Sequence, residues 1–420
     1  MRVERALVTV LGLTLAVSLS FSAFAQLRTD VSGSAELRLG LDASGTFHAA
    51  GAHFDLTVEG EVGSEYFPSA SFRVQAKAEA DAATGHTTLV LGDAWARLYL
   101  DDGTIEATLG NQTVFWGSTD GVNPVDRLNP RDRTVPIDSE KLPVPMLHLR
   151  AYLASDTSLE AALLPAFVPS VPPGEAWRTA PTLAPPPGVT VTEVLPLRDE
   201  RPEATLENVQ LATRVQWRPA GFDLAASYLY LFRDVPTRSA EVVPTGAPSE
   251  VALQPVARYG RLHVIGVDGS VALGDVVLRG EAAYGLTADP GGTDPTVGNP
   301  SFQVVVGAEI PVPDGPRLVA QAILDGETRD ASPTGEAGGI ELGLRTMLIA
   351  AYAVDTRTDL KAVWVHDFGG SGMLRPALSY TFADGVTGTL AGFVAYGPAG
   401  TRFGDWRERS GATASLRVDF

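Results

Sequence analysis

The segment FRVQAKAEAD at positions 72–81 alternates apolar and polar side chains at every residue. Successive side chains of a β-strand point to opposite faces, so this pattern predicts a strand with one apolar face and one polar face. Similar alternation marks about 18 segments in all, and no stretch of comparable length after residue 25 follows the helical period. The segments are 34–41, 53–62, 72–81, 87–101, 104–116, 143–155, 157–169, 206–219, 222–234, 257–274, 275–287, 301–312, 316–329, 339–355, 358–371, 372–384, 386–399 and 410–420. The chain is therefore predicted to be all-β.

The connections between these segments alternate between short and long. Short connections include 101–103, 154–156, 219–221, 273–275, 355–357 and 383–385, and long ones include 117–142, 170–205, 235–256, 288–300, 330–338 and 400–409. Outer-membrane barrels have short periplasmic turns and long extracellular loops, whereas a soluble sandwich or propeller has no reason to place every long loop at one end. We therefore predict a transmembrane up-and-down antiparallel β-barrel of about 18 strands, within a range of about 16 to 20.

The first 25 residues predict a cleaved secretory signal peptide, which leaves residues 26–420 as the barrel. Arg2 and Arg5 supply the positive charge, residues 6–21 are apolar, and Ala-Phe-Ala at 23–25 has the small residues of a cleavage site. The alternative, a helical membrane anchor, is disfavoured because the apolar run is short and ends at such a site. We expect the chain to reach the outer membrane, where lipid and the barrel-assembly machinery are its partners.

The composition excludes several classes of function. The formal net charge of −18 makes nucleic acid a poor partner, because its phosphates repel an acidic protein. The chain has no cysteine, which excludes disulfides, lipidated cysteine anchors and thiolate metal sites. The six histidines form no ligand pair such as HExxH, and there is no phosphate loop or dinucleotide fingerprint. We therefore predict no metal site and no cofactor.

Charged residues are expected on the inner faces of the strands. A Lys or Arg facing lipid at mid-bilayer would cost about 2–4 kcal/mol, so the apolar faces should point outward. The candidate lumen-lining residues are Arg38, Arg73, Lys77, Glu79, Arg97, His148, Arg150, Arg214, Arg261 and Arg345. A closed apolar core could not hold so many charges, and a barrel of this width is too wide for side chains to fill. The interior is therefore expected to contain water.

The connection 117–142 contains the unit Asn-Pro-x-Asp twice, at 123–126 and 129–132. Proline fixes its own φ and restricts the asparagine before it, so the two turns predict a stiff loop. Such a loop folds into the lumen as a constriction whose charges set a field across the pore, or it caps the barrel, and the sequence leaves both interpretations open. Arg150 is the expected nearest basic contact on the wall.

Four aspartates recur every six residues in this loop, at Asp120, Asp126, Asp132 and Asp138. Calcium is one interpretation, but the short-range ligand spacing of an EF-hand is absent. The favoured interpretation is that the aspartates cap local backbone N–H groups in turns.

The candidate constriction residues are Trp116, Gly117, Asp120, Asn123, Pro124, Asp126, Arg127, Asn129, Pro130, Arg131 and Asp132. Without the two arginines Arg127 and Arg131, this set resembles a signature of a poorly characterised family of Gram-negative outer-membrane β-barrels. The resemblance implies an outer-membrane barrel and names no substrate.

Two further stretches carry expectations. Residues 170–205 hold eight prolines and predict an extended extracellular excursion with little order. The last predicted strand ends in Phe420, which resembles the C-terminal signal that the barrel-assembly machinery recognises in its clients. We expect Phe420 on the lipid face, in a strand that pairs with residues 34–41.

These observations predict a porin-like channel in the outer membrane that passes an unidentified small solute through a polar lumen. A structural, adhesive or partner-binding barrel is the first alternative. An outer-membrane hydrolase is the second, but no GxSxG motif is present and no serine is marked beside His148 or His263. We therefore expect that the protein is not an enzyme. The solute and the ion selectivity stay open.

Overall fold

A computed structural model describes residues 26–43, 45, 47–63, 68–82, 86–174, 177, 190–246, 250–329 and 338–420. Eighteen strands form one closed antiparallel barrel, which confirms the predicted fold class. The strands are β1 (Gln26–Asp42), β2 (Phe47–Gly63), β3 (Pro68–Asp81), β4 (His86–Leu100), β5 (Ile105–Gln112), β6 (Val144–Ala154), β7 (Thr157–Leu164), β8 (Gln210–Trp217), β9 (Phe222–Phe232), β10 (Arg261–Leu273), β11 (Val276–Leu286), β12 (Ser301–Pro311), β13 (Arg317–Arg329), β14 (Gly339–Ala353), β15 (Thr358–Asp367), β16 (Ser371–Ala383), β17 (Val386–Tyr396) and β18 (Gly411–Asp419).

Each strand pairs with its neighbours in the sequence, and β18 closes the barrel on β1. The closing register runs from Ser34 opposite Asp419 to Asp42 opposite Gly411. Phe420 continues the pairing, because its N–H donates to the Gly33 carbonyl at 3.0 Å. Closure leaves no strand edge, which is what a sheet in hydrocarbon requires.

The two faces of the wall follow the alternation in the sequence. Apolar side chains such as Leu39, Ile265 and Val267 are more than half exposed on the outer face. On the inner face opposite charges meet across strands, as where Arg73 of β3 lies opposite Glu59 of β2 with 2.6 Å between their charged atoms. An apolar exterior of this kind suits lipid and not water.

The two ends of the barrel differ. Connections that follow even-numbered strands are short, the longest running from 312 to 316. Connections that follow odd-numbered strands include 113–143, 165–209, 233–260, 287–300 and 397–410. We call these the short-turn end and the long-loop end. In the described part of the chain, no helix is both long enough and apolar enough to cross a membrane.

The long loops have structure of their own. Two-residue strands at Arg131–Asp132 and Glu140–Lys141 form an antiparallel pair. A four-stranded sheet at the long-loop end combines Thr190–Val194, Arg198–Glu200, Thr237–Pro244 and Glu250–Arg258. Single 3-10 turns lie at Asp101–Gly103, Pro136–Asp138, Leu206–Asn208 and Gly404–Arg409.

Several sequence predictions need correction or lie outside the described residues. The excursion 170–205 was expected to have little order, but residues 190–194 and 198–200 pair in parallel with Glu250–Arg258. The predicted long connection 235–256 likewise contains strands. The predicted signal peptide, residues 1–25, and most of 175–189 are outside the described residues.

The fifth strand was predicted to run to residue 116, but β5 ends at Gln112. The alternation continues past that residue for another reason. Val114 and Trp116 are buried inside the barrel, at 8% and 2% exposure, and the Val114 N–H donates to the Asn129 side chain instead of to a neighbouring strand. An apolar residue at every second position therefore marks inward packing here, and not a strand.

Phe420 lies where the C-terminal strand meets the outer surface. Its ring is 59% exposed and stacks on Phe54 with 6.1 Å between the ring centroids. A side chain at Gly33 would collide with that ring, since an added Cβ would lie 2.7 Å from its nearest atom. The role of Phe420 as an assembly signal stays a prediction.

A charged side chain should destabilise the barrel when it is placed on the outer face, and it should have little effect on the inner face. Val267 is the middle residue of β10 and is 51% exposed on the outer face. Val267→Lys should lower the free energy of unfolding from phospholipid vesicles by about 2–4 kcal/mol. Thr413→Lys, on the inner face of β18, is the matched control and should change stability little. Equal losses in the two variants would mean that the faces are wrongly assigned.

Candidate functional site

The loop of residues 113–143 lies inside the barrel, held by a carboxylate on the wall. Glu281 of β11 accepts hydrogen bonds from the N–H groups of Ser118 and Thr119 at 2.6 and 2.7 Å, and from the Thr119 hydroxyl at 2.8 Å. Glu281 is only 3% exposed. Beside it, the Ser118 hydroxyl donates to the carbonyl of Gly269 on β10 at 3.0 Å. Three donors on one buried carboxylate fix the start of the loop to this wall.

The side chain of Asn129, in the second Asn-Pro turn, makes hydrogen bonds that a neighbouring strand would otherwise make with the surrounding backbone. Its Oδ1 accepts from the Val114 N–H at 2.9 Å, and its Nδ2 donates to the carbonyls of Gln112 and Leu142 at 3.0 and 2.9 Å. The side chain is 4% exposed. Both ends of the loop are therefore tied together where they leave β5 and approach β6.

Asn123 of the first turn closes a tighter bend. Its Nδ2 donates to the Trp116 carbonyl at 2.7 Å. Gly117 between them has φ +105°, and a Cβ there would lie 2.3 Å from the Asn123 amide oxygen. Only glycine tolerates both the dihedral and the contact.

Asp126 and Lys141 form a buried ion pair inside the loop. Their side chains are 4% and 3% exposed, and Asp126 also accepts from the Trp116 N–H at 3.2 Å and meets Arg131 at 3.5 Å. Burial lowers the pKa of Lys141 from 10.5 to about 8, although the neighbouring Asp126 carboxylate opposes that shift. The pair therefore costs desolvation and keeps the loop in one conformation.

Glu160 of β7 is a second wall carboxylate that holds the loop, and its contact with the loop is through Trp116. It accepts from the indole Nε1 of Trp116 at 3.0 Å, lies 2.9 Å from His148 Nε2, and accepts from Arg150 at 2.9 Å. The expectation that Arg150 would meet a loop carboxylate was wrong. Arg150 is paired with a neighbouring strand, because Glu160 lies directly opposite it in the sheet.

The four evenly spaced aspartates have no partner in common. Asp120 binds Arg279 of β11 at 3.1 Å and Arg317 of β13 at 3.3 Å, and Asp138 binds Arg375 of β16. Asp126 binds Lys141, and Asp132 accepts from the Thr134 N–H at 2.8 Å. The aspartates do not converge as calcium ligands would. In the residues that the structure describes, no group of three or more acidic, His or Cys side chains forms a metal site.

Apolar packing seals the loop against part of the wall. One cluster joins the loop to β6–β11, and a second joins Val122 to β12–β16 and the 3-10 turn at Gly404–Arg409. Their buried members are Val114, Trp116, Val125, Leu128, Val144, Met146, Ala162, Leu164, Ala212, Leu229, Leu231, Val264 and Ala283 in the first and Val305, Ile323, Met347, Val365 and Phe403 in the second. The loop and this part of the wall are therefore packed together.

The charged inner wall of β1–β4 is different, because it stays accessible. Lys77 and Glu79 have side chains that are 40% and 53% exposed, whereas Arg214 and Asp268 on the covered wall are 6% and 4% exposed. Of the predicted lumen residues, Arg38, Arg73, Lys77, Glu79 and Arg97 face the accessible side, and His148, Arg214 and Arg345 lie on the covered side. Arg150 on β6 is as exposed as Arg38, at 37%.

Arg261 was wrongly predicted to line the lumen. Val264 of the same strand is buried in the interior cluster, so Arg261, three residues earlier, lies on the outer face. Its guanidinium stacks on the rings of Tyr230 and Phe232 and donates to the carbonyl of Val209. An outward arginine at the strand end keeps its charge on loop carbonyls and away from hydrocarbon.

Sequence reasoning missed the wall residues that hold the loop. Glu281, Glu160 and Gln321 carry no motif, and Glu281 lies 163 residues beyond Ser118 in the chain. The only sequence feature that could have indicated these residues was their position as polar residues on the inward faces of strands.

A family model described as "Protein of unknown function (DUF1302)" matches residues 18–304, which is more than half of the chain. No curated protein sequence matches the chain significantly. That the loop motif is a signature of the family stays a prediction.

Solved structures with a similar shape include three outer-membrane proteins. OmpF of Salmonella typhi, in complex with daunomycin, is 10% identical with a TM-score of 0.48, covering 93% of this chain and 97% of that chain. OmpT of Vibrio cholerae is 11% identical with a TM-score of 0.46, covering 95% and 100%. A triple mutant of the Rhodopseudomonas blastica porin is 12% identical with a TM-score of 0.39, covering 94% and 100%. Function is therefore argued from this chain's own geometry.

Removing the Glu281 carboxylate should release the loop. Glu281→Ala leaves three donors of Ser118 and Thr119 without their acceptor, which should weaken loop docking by at least about 3 kcal/mol. Trypsin should then cut the folded barrel after Arg127 or Arg131, where the parent resists. Glu327→Ala, an exposed inward glutamate on β13, is the control and should stay resistant. A Glu281→Ala barrel that is as resistant as the parent would contradict this anchoring.

Proposed function

The chain belongs to the family described as protein of unknown function (DUF1302), and we propose that it is a porin-like channel that passes small hydrophilic solutes across the outer membrane. The observation that carries the proposal is the uneven filling of the barrel. Apolar clusters cover much of the inner face of β6–β16, while the charged inner face of β1–β4 stays accessible. A barrel that served only as a scaffold would gain nothing from a hydrated charged face opposite a packed one.

The hairpin formed by Arg131–Asp132 and Glu140–Lys141 is proposed as the constriction. Its base is tied to the start of β6, since the Leu142 N–H donates to the Pro130 carbonyl at 2.8 Å. Its tip, residues 134–138, reaches Arg375 on β16, which lies nearly opposite β6 in a barrel of 18 strands. Glu140 meets Lys77 of β3 at 3.5 Å. The hairpin therefore crosses the lumen and borders the open passage along β1–β4.

The location follows from the same proposal. We propose that residues 1–25 are removed as a signal peptide, that the short-turn end faces the periplasm, and that the long-loop end faces outward. Outer-membrane lipid and the barrel-assembly machinery are the proposed partners, with a small solute as cargo. That the protein is not an enzyme stays a prediction. His148 belongs to the hydrogen-bond network of Glu160, and in that network it has a positioning role.

Shortening the hairpin should widen the channel. Asp132 pairs with Glu140, so residues 134–138 can be replaced by an Asn-Gly two-residue turn of the kind that closes antiparallel hairpins. In planar bilayers the parent should show stepwise conductance, and the shortened variant should show larger steps because the contact with Arg375 is gone.

A length-preserving substitution separates this effect from general loosening. Asp138→Asn keeps the hairpin across the lumen and should conduct close to the parent level. If the parent forms no conducting steps, the channel proposal fails. If the shortened variant conducts like the parent, the hairpin is not the constriction.

A further inference from the structure

Three arginines gather at the long-loop end of β6–β9, beside the inserted loop. Arg127 and Arg133 belong to the loop, and Arg233 follows the last residue of β9. Asp234, the next residue, binds Arg133 at 3.4 Å between charged atoms. Asp234 also accepts from the hydroxyl of Ser170. One carboxylate is therefore shared among several donors.

In the described part of the chain, the protein uses only a small part of the hydrogen-bonding capacity of Arg127. Its Nε donates to the Pro124 carbonyl at 3.1 Å, while the side chain remains exposed within the lumen. Arg127 and Asp234 line the same small cavity, whose volume of about 20 Å³ has room for roughly one water molecule.

Arg133 and Arg233 are also incompletely satisfied. Within the described residues, the buried Nε of Arg133 has no hydrogen-bond partner. Arg233 donates through one terminal nitrogen to the carbonyl of Asn299 at 3.2 Å, and it forms no ion pair with the described residues. Arg133 therefore shares its carboxylate, Asp234, with the Ser170 hydroxyl, and Arg233 adds positive charge to the group.

The charges near Arg127 leave a local positive excess in an acidic protein. Desolvation inside the barrel lowers the pKa of Arg127, Arg133 and Arg233 lower it further, and Asp234 and Asp126 oppose the shift. Asp126 is also engaged by Lys141 and Arg131. Among these groups the basic side chains outnumber the two carboxylates, since they are Arg127, Arg131, Arg133, Lys141 and Arg233.

We propose that Arg127, Arg133 and Arg233 form a binding site for an oxyanion group, a phosphate or carboxylate, on the solute. Guanidinium groups present planar pairs of donors that match such oxygens, and confined water strengthens the attraction. That the bound molecule is cargo rests on the proposed channel function. The site sits at the long-loop mouth, beside the hairpin, where a solute would meet it before the constriction.

Binding to the purified full-length barrel tests the site without relying on conductance. Isothermal titration with inorganic phosphate and, separately, with citrate distinguishes a phosphate site from a carboxylate site. The parent should bind at least one of them, and Arg127→Gln should bind about tenfold more weakly. Arg127→Lys, which keeps the charge but loses the planar pair of donors, should bind with an intermediate affinity. Arg218→Gln, in a turn at the short-turn end, is the control and should bind like the parent.

A second measurement separates this inference from the channel proposal. In planar bilayers with potassium chloride, added phosphate or citrate should reduce the parent's current in a saturable way, and Arg127→Gln should need about tenfold more. Binding without any conductance would keep the site and overturn the channel. Conductance without binding, or equal binding by Arg127→Gln and Arg127→Lys, would overturn the site.

Discussion

The arrangement of the lumen depends on the carboxylate of Glu281. A barrel of 18 strands is too wide for its own side chains to fill, so its interior must hold either water or inserted chain. Glu281 holds inserted chain in part of that space. It accepts hydrogen bonds from the backbone N–H groups of Ser118 and Thr119 where the loop turns onto the wall. Four residues of the held loop, Val114, Trp116, Val125 and Leu128, then pack in the first apolar cluster, and the buried setting strengthens the hydrogen bonds of Glu281.

The held loop divides the interior into two chemically different halves. Beside β6–β16, apolar clusters and buried ion pairs such as Arg214–Asp268 cover much of the inner face. Beside β1–β4, charged side chains such as Lys77 and Glu79 stay accessible. The hairpin that precedes β6 reaches Arg375 of β16. In the proposed channel, the constriction and the passage both follow from this one insertion.

Periodicity was enough to predict the barrel and its strand number, because lipid on one face and water or protein on the other forces alternation along every strand. It was not enough to assign faces strand by strand. Arg261 was misplaced because a polar residue was expected to face the lumen, whereas at the end of β10 a loop carbonyl and aromatic rings hold its charge on the outer face. The anchors Glu160 and Glu281 could not be identified either, since each meets the loop across a long separation in sequence and has no motif. The Asn-Pro turns predicted a stiff loop, but they did not indicate which part of the wall the loop packs against.

The insertion of the loop can be tested most directly by cross-linking, since the chain has no native cysteine. The Val122 N–H lies 3.4 Å from the Gln321 side-chain oxygen on β13. A Val122→Cys and Gln321→Cys double variant should be joined in the folded barrel by a short bis-methanethiosulfonate cross-linker, because the Gln321 side chain spans a distance too long for a direct disulfide, and the product is seen as a reduction-sensitive change in mobility. A Val122→Cys and Ser415→Cys variant, which places its second cysteine on the inner face of β18, should not. A cross-link to residue 415, or none to residue 321, would contradict a loop packed on the β10–β14 wall.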